Sequence, residues 1–237
     1  MTDCLKISLL TIFPKIFENF LSESLVGKSA ERQLLQVGIT NIRDFSDPPH
    51  HRVDDTPYGG GAGMVMQAEP IIRAVENARN FVPQAKVILL SASGQKFTQQ
   101  KAQDLSKESE LIFICGRYEG IDQRAIDLCV DLEISLGDFV LMGGEVAAMA
   151  VIEAVLRLRP GVLGNDSSAI HESFSLNDGL NLLIEAPQYT KPAQVRGLNV
   201  PEVLLSGNHD LINKWRLEQS QIRTAKVRPD LLKTKSS

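Results

Sequence analysis

A chain of 237 residues is long enough for one large or two small domains with a sizeable core. Its 43% hydrophobic and 23% charged residues are ordinary for a globular protein, and its apolar runs are too short to span a bilayer. The first 17 residues carry an early Asp3 and no cleavage-site pattern, so neither a membrane anchor nor a secretion signal is expected. Three cysteines without metal-ligand spacing predict free thiols in a reducing cytoplasm.

In chain order, Leu5 to Ile12 reads as a buried strand, and Pro14 suits a helix start. Leu34 to Ile42 is a second strand, with Gly38 placed for a bulge. Phe45 to Gly63 is a long loop dense in Pro, His, Asp and Gly, of a length that in compact domains usually serves function. It carries His50, His51, Arg52, Asp54 and Asp55; the paired histidines lack the partners of a metal site, so no metal centre is expected. Gln67 to Asn80 has the apolar spacing of an amphipathic helix, through Ile71, Ile72, Val75 and Ala78. Lys86 to Ser91 is a third strand, opening onto Ser91-Ala-Ser-Gly-Gln95. Thr98 is placed to cap a helix over Gln99 to Lys107.

Then follow strand Leu111–Ile114, a helix over Ile121 to Cys129, strand Leu132–Ile134 and a helix over Val146 to Leu158. Strands alternating with helices imply an α/β fold with a mostly parallel sheet. After Arg159-Pro160-Gly161 the pattern changes. Residues 164–175 have no clear period and read as a flexible interdomain linker that orders on binding. Residues 176–237 read as a small helical domain, whose main helix starts near Asn208 and carries Leu211, Ile212 and Trp215, the last read as a core anchor. The domain boundaries are thus 1–163, 164–175 and 176–237.

Two glycine-rich connections stand out. Cys115 to Asp122 follows one strand, and Ser135 to Glu145, with Gly137, Gly143 and Gly144, follows the next. Loops after successive strands of a parallel sheet lie side by side at the carboxyl ends, where open α/β sheets bind ligands. No phosphate-binding loop and no dinucleotide fingerprint is present. The net charge of −4 is unevenly distributed: from Gly207 onward seven basic residues face three acidic ones, so a basic tail follows an acidic body. Such a tail suits phosphate contact.

Gly116-Arg-Tyr-Glu-Gly-Ile-Asp122 followed by Ser135-Leu-Gly-Asp-Phe-Val-Leu-Met-Gly-Gly-Glu145 resembles the bacterial tRNA (guanine-N1-)-methyltransferases, of the SPOUT superfamily. Val53-Asp-Asp-Thr-Pro-Tyr-Gly-Gly-Gly-Ala-Gly-Met64 and the Leu-Leu-Ser-Gly-Asn-His core of Pro201 to Trp215 extend the likeness over nearly the whole chain. The resemblance implies a sheet with a deep trefoil knot, a small all-helical C-terminal domain that binds tRNA, and a homodimer whose active site is shared between subunits. It implies methylation of ring nitrogen N1 of guanosine 37 by S-adenosylmethionine, maintaining the reading frame.

The resemblance places the donor on Leu89, Leu90, Ser91, Gly116, Tyr118, Glu119, Gly120, Ile134, Ser135, Leu136, Gly137, Phe139, Leu141, Gly143 and Gly144. It also allows a Mg²⁺ ion at Glu119. Substrate contacts fall on Arg52, Asp54, Asp55, Tyr58, Ser173, Asn208, His209, Lys214 and Arg216. Catalysis falls on Glu172, as base, and Arg157, as stabiliser of the guanine oxygen O6. The chain departs from the family pattern at Glu172, where the family has Asp, and at Leu89 and Ala92-Ser93, where it has Tyr and Pro-Gln. Two other readings stand beside this one: a SPOUT enzyme for another RNA site, and a catalytically weak RNA-binding relative.

Overall fold

The long apolar runs of the first 135 residues fold as strands of one sheet in the computed structural model, which describes residues 4–164, 172–176, 179 and 181–232. The strands are β1 (Leu5–Thr11), β2 (Leu35–Asn41), β5 (Lys86–Lys96), β6 (Glu110–Cys115) and β7 (Leu132–Ser135). Their order is β2-β1-β6-β5-β7, and every pairing is parallel. The two remaining strands of this unit, β3 (Asp54–Asp55) and β4 (Val65–Met66), form a separate antiparallel ribbon.

An all-parallel sheet is apolar on both faces, which explains the unbroken apolar runs. The period-2 alternation sends Leu5, Ile7 and Leu9 of β1, Leu111 and Phe113 of β6, and Ile88 and Leu90 of β5 into one core. The alternate set, Leu10, Ile112, Ile114, Val87 and Leu89, enters the other. The first core is closed by α2 (Ser24–Glu31), which follows the short α1 (Glu18–Ser22), and by α4 (Gln99–Leu105) and α6 (Gly144–Leu156). The second is closed by α3 (Ala68–Ala78) and α5 (Gln123–Cys129). On α3 the buried residues Pro70, Ile71, Ala74, Val75 and Ala78 follow helical spacing. Burying a side chain such as Ile71 contributes roughly 1.5–3 kcal/mol.

Several local expectations are met. Thr98 Oγ1 accepts a hydrogen bond from Lys101 N–H at 3.3 Å and caps α4. Gly38 is a correction: the β1–β2 register runs unbroken from Leu5↔Leu35 to Thr11↔Asn41, with Ser8 opposite Gly38 and no bulge. Its missing side chain instead makes room for the Phe81 ring, whose Cδ1 lies 3.4 Å from where a Cβ would stand. β5 also runs further than its apolar stretch. Ile88–Leu90 pair with Leu132–Ile134, the chain then bows out, and Gln95 and Lys96 return to pair with Ile134 and Ser135.

The chain divides into two compact units, residues 1–164 and 165–237. Within the stretch read as a linker, Glu172 opens a turn: its carbonyl accepts from Ser175 N–H at 3.0 Å and Leu176 N–H at 2.8 Å. Residues 165–171 lie outside the described ones. The second unit centres on α8 (His209–Val227), capped by Asn208 Oδ1, which accepts from Asp210 and Leu211 N–H at 3.2 Å each. Trp215 is half-buried, its ring centroid 6.4 Å from that of Tyr189, as a packing anchor would be. The unit is not purely helical, however. Besides α7 (Glu202–Leu205) it carries an antiparallel ribbon, β8 (Gln194–Val195) and β9 (Leu198–Asn199). The two residues between these strands, Arg196 (φ 50°) and Gly197 (φ 85°), both take left-handed backbone, as a tight hairpin turn with matching twist requires. Among the described residues no helix is long and apolar enough to cross a membrane.

Candidate active site

Three connections converge at the carboxyl ends of β5, β6 and β7 and enclose a cavity of about 450 Å³. They are the excursion of β5 from Leu89 to Ser93, the loop from Gly116 to Gly120, and the loop from Ser135 to Gly144. Of the fifteen positions assigned to the donor, all but Gly137 line this cavity. Gly137 shapes it from behind: Ser135 Oγ accepts from its N–H and donates to its carbonyl, at 3.3 and 3.0 Å, and Phe139 N–H bonds the same carbonyl at 2.9 Å. A Cβ on Gly137 would stand 3.0 Å from the Phe139 ring. The wall also includes Arg117, Val140 and Met142, which lie within the glycine-rich loops expected to line it, and Ala92, Ser93, Ile121, Gln123, Ile126 and Ala147, which sequence reasoning did not select as lining.

Close backbone approach explains the glycines here. A Cβ on Gly94 would lie 2.5 Å from Ile134 N, so the β5 excursion returns flush against β7. Gly144, which opens α6, would place a Cβ 2.8 Å from Cys115 Cα and 3.1 Å from Gly116 N, while its own N–H bonds the Gly116 carbonyl at 2.9 Å. Gly144→Ala therefore pushes α6 off the end of β6. The expected cost is that of overpacking, about 1–3 kcal/mol, read as a lower urea midpoint with an unchanged slope.

The second loop is tied to the long loop before α3. Glu119 N–H bonds Met64 carbonyl at 3.0 Å, Met66 N–H bonds Gly120 carbonyl at 2.9 Å, and Asp122 N–H bonds Met66 carbonyl at 2.9 Å. Tyr118 (φ 61°) and Gly120 (φ 126°) turn the chain through left-handed backbone between these bonds. Gly63 lies under the Glu119 side chain, with Cγ 2.5 Å from where a Cβ would be.

Behind the cavity wall lies a buried charge pair absent from the sequence reading. Glu145, fully buried at the first turn of α6, accepts a hydrogen bond from Thr11 Oγ1 at 2.8 Å on one carboxylate oxygen. The other oxygen stands 2.9 Å from Arg117 Nε. This second contact is a charge contact, not an aligned hydrogen bond. The Arg117 guanidinium lies over the Phe13 ring at 4.6 Å and reaches the Met142 carbonyl at 3.4 Å. Burial pushes the neighbouring Cys115 thiol well above its usual pKa, and the Glu145 charge adds to that shift. The thiol thus stays protonated and unreactive.

The other assigned residues lie elsewhere. Arg52 lines a second cavity of about 280 Å³ between the 45–50 loop and the start of α3. Asp54 and Asp55 form β3, and Tyr58 is fully exposed at the tip of the same loop. Arg157 is half-buried at the C-terminal end of α6, in the first unit. Glu172 and Ser173 lie in the second unit, where Ser173 Oγ accepts from Glu185 N–H at 3.1 Å. Asn208 is the α8 cap, and His209, Lys214 and Arg216 are exposed on α8. In the basic tail, Arg228 pairs with Asp230 at 2.7 Å and lies over the Phe174 ring, while Lys233 and Lys235 fall outside the described residues. No group of three or more His, Cys, Asp or Glu side chains converges as a metal site among the described residues.

Comparison with known proteins gives a consistent picture. The family model described as tRNA (Guanine-1)-methyltransferase TrmD matches residues 5–234. A tRNA (guanine-N(1)-)-methyltransferase of Geotalea uraniireducens is 54% identical over 228 residues, 96% of this chain and 90% of that protein. Proteins of the same name from Carboxydothermus hydrogenoformans and Geobacillus kaustophilus are 52% and 48% identical, covering 98% and 96% of this chain and 88% and 91% of their own lengths.

Proposed function

Because the chain belongs to the tRNA (guanine-1)-methyltransferase family, we propose that it methylates ring nitrogen 1 of the guanosine at position 37 of tRNA, with S-adenosylmethionine as donor. The observation that carries this reading is the cavity at the ends of β5, β6 and β7, walled by the three loops. Main-chain donors and acceptors of the three loops are unchanged by Leu89 and Ala92-Ser93 standing where the family pattern has other side chains, so contacts made through the backbone are kept. When bound, the donor supplies an electrophilic methyl group on a sulfonium.

The protein's own work is on the guanine. Ring nitrogen 1 carries a proton and is a poor nucleophile, so a positioned carboxylate must take that proton as the new bond forms. Glu172 is that base. Negative charge then develops on O6, where a guanidinium stabilises it, and Arg157 supplies it. The two residues lie in different units of the chain, so productive geometry depends on how the units are brought to the substrate. A homodimer whose active site is shared between subunits satisfies this requirement. Residues 176–237 then grip the tRNA through exposed Lys214 and Arg216, while Arg52, Asp54, Asp55 and Tyr58 of the long loop hold the target nucleoside. A deep trefoil knot at the three loops and a cytoplasmic setting complete the reading.

A Mg²⁺ ion fits this chain poorly as a protein-held cofactor. Among the described residues Glu119 is the one carboxylate in the cavity wall, and it would leave the ion mainly to water and substrate oxygens. No step is assigned to it.

The test is methyl transfer from labelled S-adenosylmethionine to an unmodified transcript with guanosine at position 37, beside one with adenosine there. Product is expected only with the first, as 1-methylguanosine on nucleoside analysis. Transfer to both transcripts would move the target to another site, and transfer to neither would leave an RNA-binding relative.

A further inference from the structure

Among the described residues, Arg117 and Glu119 are the charged residues in the cavity wall, and Glu145 lies buried directly behind Arg117. Glu133 and Asp138 stand nearby but outside the wall, Glu133 against Ser93 and Asp138 exposed beside Lys96. The charge of Arg117, Glu119 and Glu145 sums to one negative unit, and removing Glu145 takes that sum to zero.

Burying a carboxylate is costly unless it is compensated. Glu145 is compensated from two sides, by the Thr11 hydroxyl at the end of β1 and by Arg117 on the second loop. The guanidinium has further duties: it faces Phe13, bonds the Met142 carbonyl, and fills the space a Gly143 side chain would take. A purely structural brace could do all this as a neutral pair. What the charged pair adds is a full negative charge held rigidly behind the cavity, so that a guanidinium set in the wall does not repel a cation bound beside it.

We propose that Glu145 is a specificity-determining residue that neutralises Arg117 and so lets the cavity prefer a sulfonium over the uncharged thioether left after transfer. The proposal rests on the donor reading above. S-adenosylmethionine and S-adenosylhomocysteine differ by a methyl group and one positive charge, so a residue that acts through charge shifts their affinities unequally. A residue that acts only by holding the loops in place weakens both alike. Coulomb attraction across a few ångströms to about ten, in a partly buried site, is large enough to shift the ratio about tenfold.

The experiment is calorimetric titration of the full chain with each ligand. The parent is expected to bind both. Glu145→Gln keeps the size and, with its amide oxygen toward Thr11, that hydrogen bond, while its NH2 group faces Arg117; any resulting shift of the loop acts on both ligands, so the readout is their ratio, and S-adenosylmethionine is expected to weaken about tenfold relative to S-adenosylhomocysteine. The double variant Glu145→Gln/Arg117→Gln restores local charge and is expected to return the ratio of the two dissociation constants to the parent value. Should Glu145→Gln fail to fold, as judged by its melting curve, Arg117→Gln serves instead, and the ratio is expected to move the opposite way. An affinity ratio that stays at the parent value in the folded single variant overturns the proposal and leaves a brace. A parent that binds neither ligand instead overturns the donor reading.

Discussion

Glu172→Gln is expected to reduce single-turnover methyl transfer by about a hundredfold or more, within the range a positioned general base contributes. Glutamine keeps the size and hydrogen-bonding reach of the parent side chain but cannot accept the guanine proton, so the loss reports basicity and not shape. Glu172→Asp is expected to retain or raise the rate. It restores the family's residue type in a turn whose backbone is fixed by Glu172 carbonyl contacts to Ser175 and Leu176, which either side chain leaves intact. Unperturbed Asp and Glu have similar pKa values, near 3.9 and 4.3, so the difference between them is one of reach. Displacements of about an ångström at a reacting centre cost on the order of a hundredfold. A Gln variant as fast as the parent would remove Glu172 as the base and direct attention to Asp166 or His171, both outside the described residues.

Arg157→Ala is expected to lower kcat by roughly a hundred- to a thousandfold, the loss typical of deleting one stabiliser of developing negative charge. Donor affinity should hold. Arg157 stands at the far end of α6 from Gly144, while the cavity wall takes only Gly144 and Ala147 from that helix. An interaction made mainly in the transition state lowers kcat and kcat/KM together. Calorimetry with S-adenosylmethionine beside rapid-quench kinetics separates the two effects, and lost donor binding would count against the role given to Arg157.

The parallel sheet was legible because both its faces are buried, so its strands appear as continuous apolar runs between turn residues. The loops after β6 and β7 were legible as glycine clusters, the cap of α4 as Thr98, and the start of α8 near Asn208, whose capping role the structure adds. What stayed hidden depends on contacts far apart in sequence. Gln95 and Lys96 look like loop residues, and only their pairing with Ile134 and Ser135 makes them strand. Glu145 reads as an acidic residue favourably placed at a helix N-terminus; its burial requires Thr11, 134 positions away. Gly38 suggested a bulge, since local sequence does not reveal the Phe81 ring above it. The β8–β9 ribbon had one usable signal, Gly197 after Arg196, but its strands are too short for period 2 to register.

The sheet order also bears on how the chain is made. β6 sits at the centre, between β1 and β5, and β1 finds its second neighbour about a hundred residues downstream. At about 5–20 residues per second on the ribosome, the exposed edge of β1 waits on the order of five to twenty seconds for that partner to be synthesised. During that interval Leu5, Ile7 and Leu9 lack the packing that Leu111 and Phe113 of β6 supply. A nascent chain stalled before Glu110 should therefore be captured by holdase chaperones and cut readily by protease, and one released after Leu156 should resist both.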